Sequence, residues 1–435
     1  MDTNKGFDFG CGCDKVVFFA FCALIYFLPI SIALTDTFAA LAVFFYLLKK
    51  IHGLVLAWPA PGNRLFDKIK YTARGMAPAP SILKRPIAIL ALVTFLSVLQ
   101  SQFLGVSFYA FGGKFLKYIF IYFSFVETFV TPKRMKVFVW VFLISAFLVC
   151  LSGVAQHIYG VDFLAGRHLA PDGRLSSSFK FPNSLGIYLV VVLAVVVQQL
   201  YVESLRKRFS WTLGGLLILL FLAMFCMTWT FSRAAWGGFM LSLFFLMFTG
   251  RGKILYLVLL LGLFLSFSLP LLGEIRHVDL TSNSLPHLGN PFNSIGHFES
   301  IDRINFWKSA IFIIKKYPAL GSGLNTYALM LKKFSLPNWY AHNGYLQIGA
   351  ETGLVGLSCF LWMLFVLFRQ GIKGIGIGMG SWSNILLQAG LAGLLGFLGE
   401  SFFDNSLVSV QLAVLFWLMT GFTVAVLNLN NKNEG

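Results

Sequence analysis

The sequence predicts an all-α, multi-pass membrane protein, and three observations lead to that fold class. Of the 435 residues, 57% are hydrophobic and only 12% are charged. The hydrophobic residues gather into long apolar runs, and most basic residues fall in the gaps between those runs. A soluble fold cannot bury so much apolar side chain, whereas an apolar run of about 20 residues crosses a membrane as a helix.

The apolar runs predict about 12 transmembrane helices. The second and the eighth runs are short, so these spans are expected to tilt little or to end early. The first two spans are expected to be joined by a tight turn. The predicted spans cover residues 15–33, 35–48, 86–104, 110–130, 137–158, 183–202, 211–231, 234–249, 254–272, 345–368, 383–403 and 406–427.

Lysine and arginine predict the orientation of these spans. They concentrate in every second gap, for example at Lys49 and Lys50 after the second span and at 206–208 after the sixth. By the positive-inside rule, these gaps and both chain termini are predicted to be cytoplasmic. The net charge of +17 is then an orientation signal. It argues against a nucleic-acid partner and leaves membrane lipids as the surroundings.

Among the segments therefore expected on the far side of the membrane, three are of interest, at 159–182, 230–233 and 273–341. In the third, apolar residues at helical spacing from Ile301 to Ile314 predict an interfacial helix, and a short helix is predicted at about 325–334. The chain accordingly divides into residues 1–272 with nine spans, 273–341 as a mostly helical far-side segment, and 342–435 with three spans.

Arginines mark the far side. Arg233 follows Ser232 at the start of a span, beside the free N–H groups and positive dipole of a helix N-terminus, which together favour anions. Arg174 lies one loop before Asn183, and Arg303 lies in the interfacial helix. A single boundary arginine is more often a lipid anchor. Three of them near helix ends favour an anion site, and the guanidinium fork suits a diphosphate.

Two further residues extend this hypothesis. Lys114, near the outer end of the fourth span, is predicted to meet phosphate, with a plain interfacial lysine as the alternative. His342, followed by Asn343, stands at the mouth of the tenth span. The helix dipole there disfavours imidazolium, which favours a neutral ring that accepts a proton. The alternative is an interfacial histidine that lipid headgroups or backbone satisfy.

No metal site is predicted. Three histidines occur ten residues apart at 277, 287 and 297 in a loop rich in glycine, asparagine and proline, and neither helix nor hairpin spacing brings them together. The far side also lacks a paired-acid metal motif. No metal or other cofactor is therefore expected.

Taken in order, these motifs resemble the O-antigen ligase and polymerase superfamily over nearly the whole chain. The most specific element is the His-Asn pair followed by Glu-Thr-Gly-Leu from Glu351. The motifs are Gly173-Arg174 to Asn183, Ser232-Arg233-Ala234-Ala235-Trp236, Arg303 to Trp307, Pro318-Ala319-Leu320-Gly321-Ser322-Gly323, His342-Asn343-Gly344-Tyr345-Leu346 and Glu351-Thr352-Gly353-Leu354-Val355-Gly356.

The resemblance implies a C-type glycosyltransferase fold in the bacterial inner membrane and a role in lipopolysaccharide biosynthesis. It implies transfer of O-antigen polysaccharide from undecaprenyl diphosphate to the lipid A core, on the periplasmic side, with inversion and without metal or nucleotide. It assigns His342 as the base and Arg233, Arg303 and Arg174 as diphosphate ligands. Asn343, Asn183, Ser232 and Glu351 are predicted to be supporting residues.

Two alternatives remain open. A polymerase of the same superfamily often carries an arginine, ten residues and a glycine in its periplasmic loops, whereas Leu185 and Ile314 occupy that distance after Arg174 and Arg303. This favours a ligase. A transporter with 12 spans and proton-coupling acids at Glu351 and Glu400 is less well supported because the halves show no repeat.

Overall fold

The computed structural model describes residues 9–56, 81–205, 210–262, 291–336, 340–375 and 381–432. The side chains of residues 9, 56, 291–302 and 432 lie outside that description. The described chain is a polytopic, all-α membrane protein. The histidines at 277 and 287, and the side chain of the one at 297, lie outside it.

Fifteen α-helices and one π-helix carry the fold in the described residues. They are α1 (Phe9–Phe27), α2 (Ile32–Leu56), α3 (Lys84–Leu99), α4 (Leu104–Ala110), the π-helix (Phe111–Leu116), α5 (Lys117–Thr128), α6 (Pro132–Tyr159), α7 (Pro182–Ser204), α8 (Trp211–Trp229), α9 (Arg233–Thr249), α10 (Lys253–Gly262), α11 (Pro291–Lys316), α12 (Tyr327–Lys333), α13 (Gly344–Ile375), α14 (Trp382–Glu400) and α15 (Val410–Lys432).

Eight of these helices are long and apolar enough to cross a membrane, and α9 and α10 are shorter apolar helices. The total of about 12 spans stays a prediction. The prediction of a short second span is wrong, because α2 has 25 residues and continues through Lys49 and Lys50. The predicted fourth span, 110–130, is not one regular α-helix. It consists of the π-helix and α5, which follow α4 without a loop. Helices α11 and α12 confirm that this segment is helical at both predicted places, and their position at the membrane interface stays a prediction.

The most buried candidate spans are α7, α14 and α15, which form the centre of the bundle. Glycines allow α9 to approach this centre closely. A Cβ on Gly238 of α9 would lie 2.6 Å from the carbonyl oxygen of Gly396 in α14. Small residues are a common device for close helix packing in membranes. The contact fixes the start of α9 beside the end of α14.

Helix α13 is broken at Gly353, whose φ of 72° and ψ of 178° are not helical. The break leaves backbone N–H and C=O groups of α13 without partners inside the helix, and the turn at 318–323 forms hydrogen bonds with them. Leu354 N–H donates to the Pro318 carbonyl at 2.8 Å, and Gly323 N–H donates to the Glu351 carbonyl at 2.9 Å. This double connection binds the far-side segment to the spanning core.

The opposite end of the bundle is held by ion pairs. Asp14 lies 2.9 Å from the Lys49 ammonium and 2.6 Å from the Arg134 guanidinium, and Lys50 lies 2.9 Å from Glu127. These basic residues belong to the gaps predicted to be cytoplasmic. Their ion pairs connect α1, α2, α5 and α6 at that end, in addition to the predicted role of these residues in orienting the protein in the membrane.

Gly353→Ala is expected to lower stability strongly. A side chain at φ 72° is strained, and a Cβ there overlaps the Ala319 carbonyl. We expect a loss on the order of 2 kcal/mol or more, measured as a lower thermal midpoint of the purified protein. Gly215→Ala in α8 is the matched control, because a Cβ there has no atom within 4 Å. Equal midpoints for the two variants would contradict the role of the break.

Candidate functional site

A cavity of about 670 Å³ opens at one end of the helix bundle. All three segments predicted to lie on the far side contribute to its wall, together with the end of α14 and the residues after it. The lining residues are Arg174, Asn183, Phe231, Ser232, Arg233, Ala234, Gly237, Gly238, Leu241, Arg303, Ile304, Trp307, Gly399 and Phe403. Three predicted anion ligands thus share one cavity.

Arg174 is positioned by backbone and side-chain contacts. Its Nε donates to the Thr230 carbonyl at 2.7 Å, and a terminal guanidinium nitrogen donates to Asn183 Oδ1. Asp172 lies 3.9 Å away, and only 12% of the Arg174 side chain is exposed. The loop before α7 is therefore tied to the turn that carries Arg233.

Arg233 is the first residue of α9, and the local sequence explains its place. Phe231 takes a left-handed backbone with φ 48°, which reverses the chain in a three-residue turn. Ser232 then caps the helix, since its hydroxyl accepts the N–H of Ala235 at 3.3 Å. The exposed Arg233 side chain stands at the positive end of the helix dipole. Both features favour an anion at this point.

Arg303 and Trp307 enter the cavity from α11, one helical turn apart. An electrostatic interaction links Arg303 to the buried Glu400, whose carboxylate accepts the Ser406 hydroxyl at 2.6 Å. The indole nitrogen of Trp307 is buried and has no hydrogen-bond partner among the described residues. A buried N–H without a partner costs free energy, so Trp307 is suited to donate to a ligand.

His342 immediately precedes α13 and has a left-handed backbone with φ 44°. Asn343 is the N-cap, because its Oδ1 accepts the N–H of Leu346 at 2.9 Å. The Asn343 N–H in turn donates to Asn405 Oδ1 at 3.1 Å. The imidazole ring lies beside Phe306, with centroids 5.6 Å apart. His342 does not line the arginine-lined cavity, but Asp404 contacts both His342 and the lining residue Asn183, so His342 lies close to the cavity.

Asp404 is a site residue that the sequence reasoning missed. Its Oδ1 lies 3.4 Å from His342 Nδ1, longer than a well-formed hydrogen bond but close enough for an ion pair. Burial raises the pKa of Asp404, yet contacts with the imidazole, the Asn405 N–H and Asn183 outweigh burial and hold the pKa below its ordinary value. Asn183 thus contacts both Arg174 and Asp404. The sequence does offer one sign of its role, because Asp404 is an acidic residue in the turn between the last two predicted spans, on the predicted far side.

Lys114 and Glu351 lie elsewhere. Both line a second cavity of about 140 Å³, and neither lines the arginine-lined cavity. Glu351 Oε2 accepts the N–H of Asn325 at 2.8 Å, and Lys114 Nζ lies 3.5 Å from Asn325 Oδ1. The structure therefore groups these two predicted residues with each other, apart from the three arginines.

Residues 216–361 match the model of a protein family described as O-antigen ligase. The match includes Arg233, Arg303 and His342. The match supports membership of the O-antigen ligase superfamily. No curated protein sequence matches the chain.

The matched region contributes only part of the arginine-lined cavity. Arg174 and Asn183 precede the matched region, and Phe403 follows it. The assembled site combines guanidinium groups, which hold anions, with an imidazole that a carboxylate orients. Such a set can bind a diphosphate and accept a proton beside it. The part of the chain that the structure describes contains no group of three or more His, Cys, Asp or Glu side chains placed to hold a metal ion.

Asp404→Asn is expected to change the pH dependence of activity. Because the pKa of Asp404 is depressed, its carboxylate stays charged at neutral and mildly acidic pH and stabilises imidazolium at His342. Without that charge, the imidazolium that forms during proton transfer loses its counterion. We expect the plateau rate to fall roughly tenfold or more and the acidic side of the pH profile to change.

The measurement is the initial transfer rate between about pH 5 and 8, a range that spans the ordinary histidine titration. Asp36→Asn is the matched control, since Asp36 pairs with Lys117 at 2.7 Å and does not line the cavity. An unchanged pH profile in Asp404→Asn would remove the carboxylate from the chemistry.

Proposed function

We propose that the protein transfers O-antigen polysaccharide from undecaprenyl diphosphate to the lipid A core at the periplasmic face of the bacterial inner membrane. The match to the O-antigen ligase family supports glycan transfer in a membrane protein. The observation that carries the proposal is the convergence of Arg174, Arg233 and Arg303 on one cavity beside His342. Three guanidinium groups match the charge and shape of a lipid diphosphate.

The arginines act on the leaving group. As the bond between the anomeric carbon and the diphosphate oxygen breaks, its electron pair leaves with the undecaprenyl diphosphate. Fixed cations beside those oxygens stabilise this charge more in the transition state than in the bound donor. The helix N-terminus at Arg233 adds its dipole, and the indole N–H of Trp307 is a further donor.

His342 acts on the acceptor. Its Nδ1 faces Asp404, which leaves Nε2 for the substrate. Nε2 takes the proton of the acceptor hydroxyl while that oxygen forms the new bond to the anomeric carbon. The Asp404 carboxylate stabilises the imidazolium that results. Attack opposite the departing diphosphate inverts the anomeric configuration, and neither a metal ion nor a nucleotide takes part.

The second candidate function is O-antigen polymerisation, in which the acceptor is a second lipid-linked glycan. The superfamily match supports both functions, and the missing arginine-to-glycine spacing after Arg174 and Arg303 favours the ligase. Purified protein supplied with both acceptors separates the two, because the product carries either lipid A or a longer chain on the polyprenyl lipid. Transfer without any ion gradient would also exclude the transporter alternative.

Arg233→Ala and Arg303→Ala are each expected to impair use of the donor. Loss of a charge-assisted phosphate contact should cost on the order of 2 to 4 kcal/mol in the transition state. The lysine variants should recover only part of the rate, because an ammonium lacks the planar fork. The measurement is single-turnover transfer from a defined lipid-diphosphate glycan. Lys316→Ala, at the end of α11 and outside the cavity, is the control. Full activity in both alanine variants would place the diphosphate elsewhere.

His342→Asn is expected to lower turnover by roughly a hundredfold or more, since a positioned general base contributes about that much. Asparagine tolerates the left-handed backbone at this position, so the variant removes the imidazole without new strain. Donor binding and protein abundance should stay unchanged. His342→Ala serves as a second variant for the same chemistry. Near-normal turnover in both would mean that another group takes the proton.

A further inference from the structure

The second cavity has features of a binding site of its own. It lies between α3, the π-helix, α5, α13 and α15, and its volume is about 140 Å³. Most of its wall is apolar, with Leu90, Phe115, Phe360 and Trp417 among the lining residues. A few polar groups converge at one end. An apolar cavity with a few convergent polar groups is the usual form of a small-molecule site.

Gln347 supplies the independent sign of a missing ligand. Only 2% of this residue is exposed, and its Oε1 is buried without a hydrogen-bond partner among the described residues. Its Nε2 makes only a long contact of 3.3 Å to Glu351 Oε1. A buried acceptor without a donor is costly, so a group that carries N–H or O–H is expected against it. Gln347 and Glu351 lie one turn apart and line the cavity together.

The polar end of the cavity holds an acidic residue, Glu351, and a basic residue, Lys114. Asn325 connects them, since its N–H donates to Glu351 and its Oδ1 lies 3.5 Å from Lys114 Nζ. The π-helix brings Lys114 to the cavity. A ligand head that satisfies Gln347, Glu351 and Lys114 needs hydrogen-bond donors for the first two and an anionic acceptor for the third.

We propose that this cavity binds the head of a zwitterionic phospholipid that carries a primary ammonium group and a phosphate. The ammonium donates to Gln347 Oε1 and to the Glu351 carboxylate, and the phosphate accepts from Lys114. A primary ammonium has three N–H donors, whereas a trimethylammonium has none. The two charges of the lipid head are opposite to those of Glu351 and Lys114, so no net charge is left unpaired in a low-dielectric cavity.

The surroundings fit the tail of such a lipid. The cavity volume suits a head and a few methylene groups, so the acyl chains must lie along the outer surface. Apolar side chains are exposed there on α3 and α4, at Leu92, Leu96, Leu104 and Phe108. The site is separate from the arginine-lined cavity and does not depend on the proposed glycan transfer.

The test measures lipid binding, not activity. Full-length protein is stripped of lipid in detergent and titrated with phosphatidylethanolamine, phosphatidylcholine or phosphatidylglycerol, and bound lipid is counted by native mass spectrometry. Phosphatidylcholine has the same charges without N–H donors, and phosphatidylglycerol has hydroxyl donors without the cation. Phosphatidylethanolamine is expected to bind at least roughly tenfold more tightly than either, as loss of hydrogen bonds to a charged group predicts.

Variants assign the site. Glu351→Gln and Gln347→Leu are each expected to weaken phosphatidylethanolamine binding roughly tenfold, and Lys114→Ala to weaken all three lipids. Lys117→Ala is the matched control, since Lys117 belongs to the adjacent helix α5 and pairs with Asp36. Equal binding of the three lipids to the unaltered protein would overturn the proposal, whether or not the variants fold. So would full binding in Glu351→Gln and Gln347→Leu.

Discussion

The break at Gly353 is the constraint on which the placement of the outer site depends. A helix that crosses a membrane normally satisfies its own backbone groups and leaves none for a neighbour. By departing from helical geometry, α13 offers the Glu351 carbonyl and the Leu354 N–H to the turn at 318–323. That turn directly follows α11, which carries Arg303 and Trp307. The hydrogen bonds between this turn and α13 therefore set the position of the Arg303 and Trp307 side chains.

The gathering of three guanidinium groups around one cavity has an electrostatic cost. Like charges repel strongly where the dielectric is low, and carboxylates can offset only part of this repulsion. Asp172 lies beside Arg174, and Glu400 interacts with Arg303 from a buried position. An anion of matching shape relieves the remaining repulsion. The proposed preference for an anion thus follows from an unfavourable arrangement as much as from attractive contacts.

Much of this organisation could be predicted from the sequence, for a physical reason. Apolar runs, proline and caps act locally, so most helix positions, the interfacial helix before Pro318 and the short α12 are close to expectation. The shared location of Arg174, Arg233 and Arg303 followed from topology, since alternation puts their segments at one end. The length of α2 was missed, because Lys49 and Lys50 extend the helix past the apolar run and find partners in Asp14 and Glu127.

Relations that depend on packing could not be read from the sequence. Asp404 meets His342 because the turn after α14 folds over the start of α13, and no local pattern encodes that distance. Lys114 and Glu351 were assigned to the diphosphate and to its support, yet packing puts both in the smaller cavity. The membrane orientation remains a prediction from the basic gaps alone.

The π-helix at Phe111–Leu116 carries a consequence of a different kind. A π-turn holds one more residue than an α-turn, and single insertions into α-helices can accommodate themselves in this way. Deleting one residue of the π-helix after Lys114 would restore a continuous α-helix. The side chains before the deletion, including Lys114, would rotate by about 100° relative to α5. Lys114 would then leave the smaller cavity while α5 kept its packing. The insertion or deletion of a single residue would thus bring Lys114 into the smaller cavity or remove it. The polar end of this cavity can therefore change in evolution while the rest of the fold is kept.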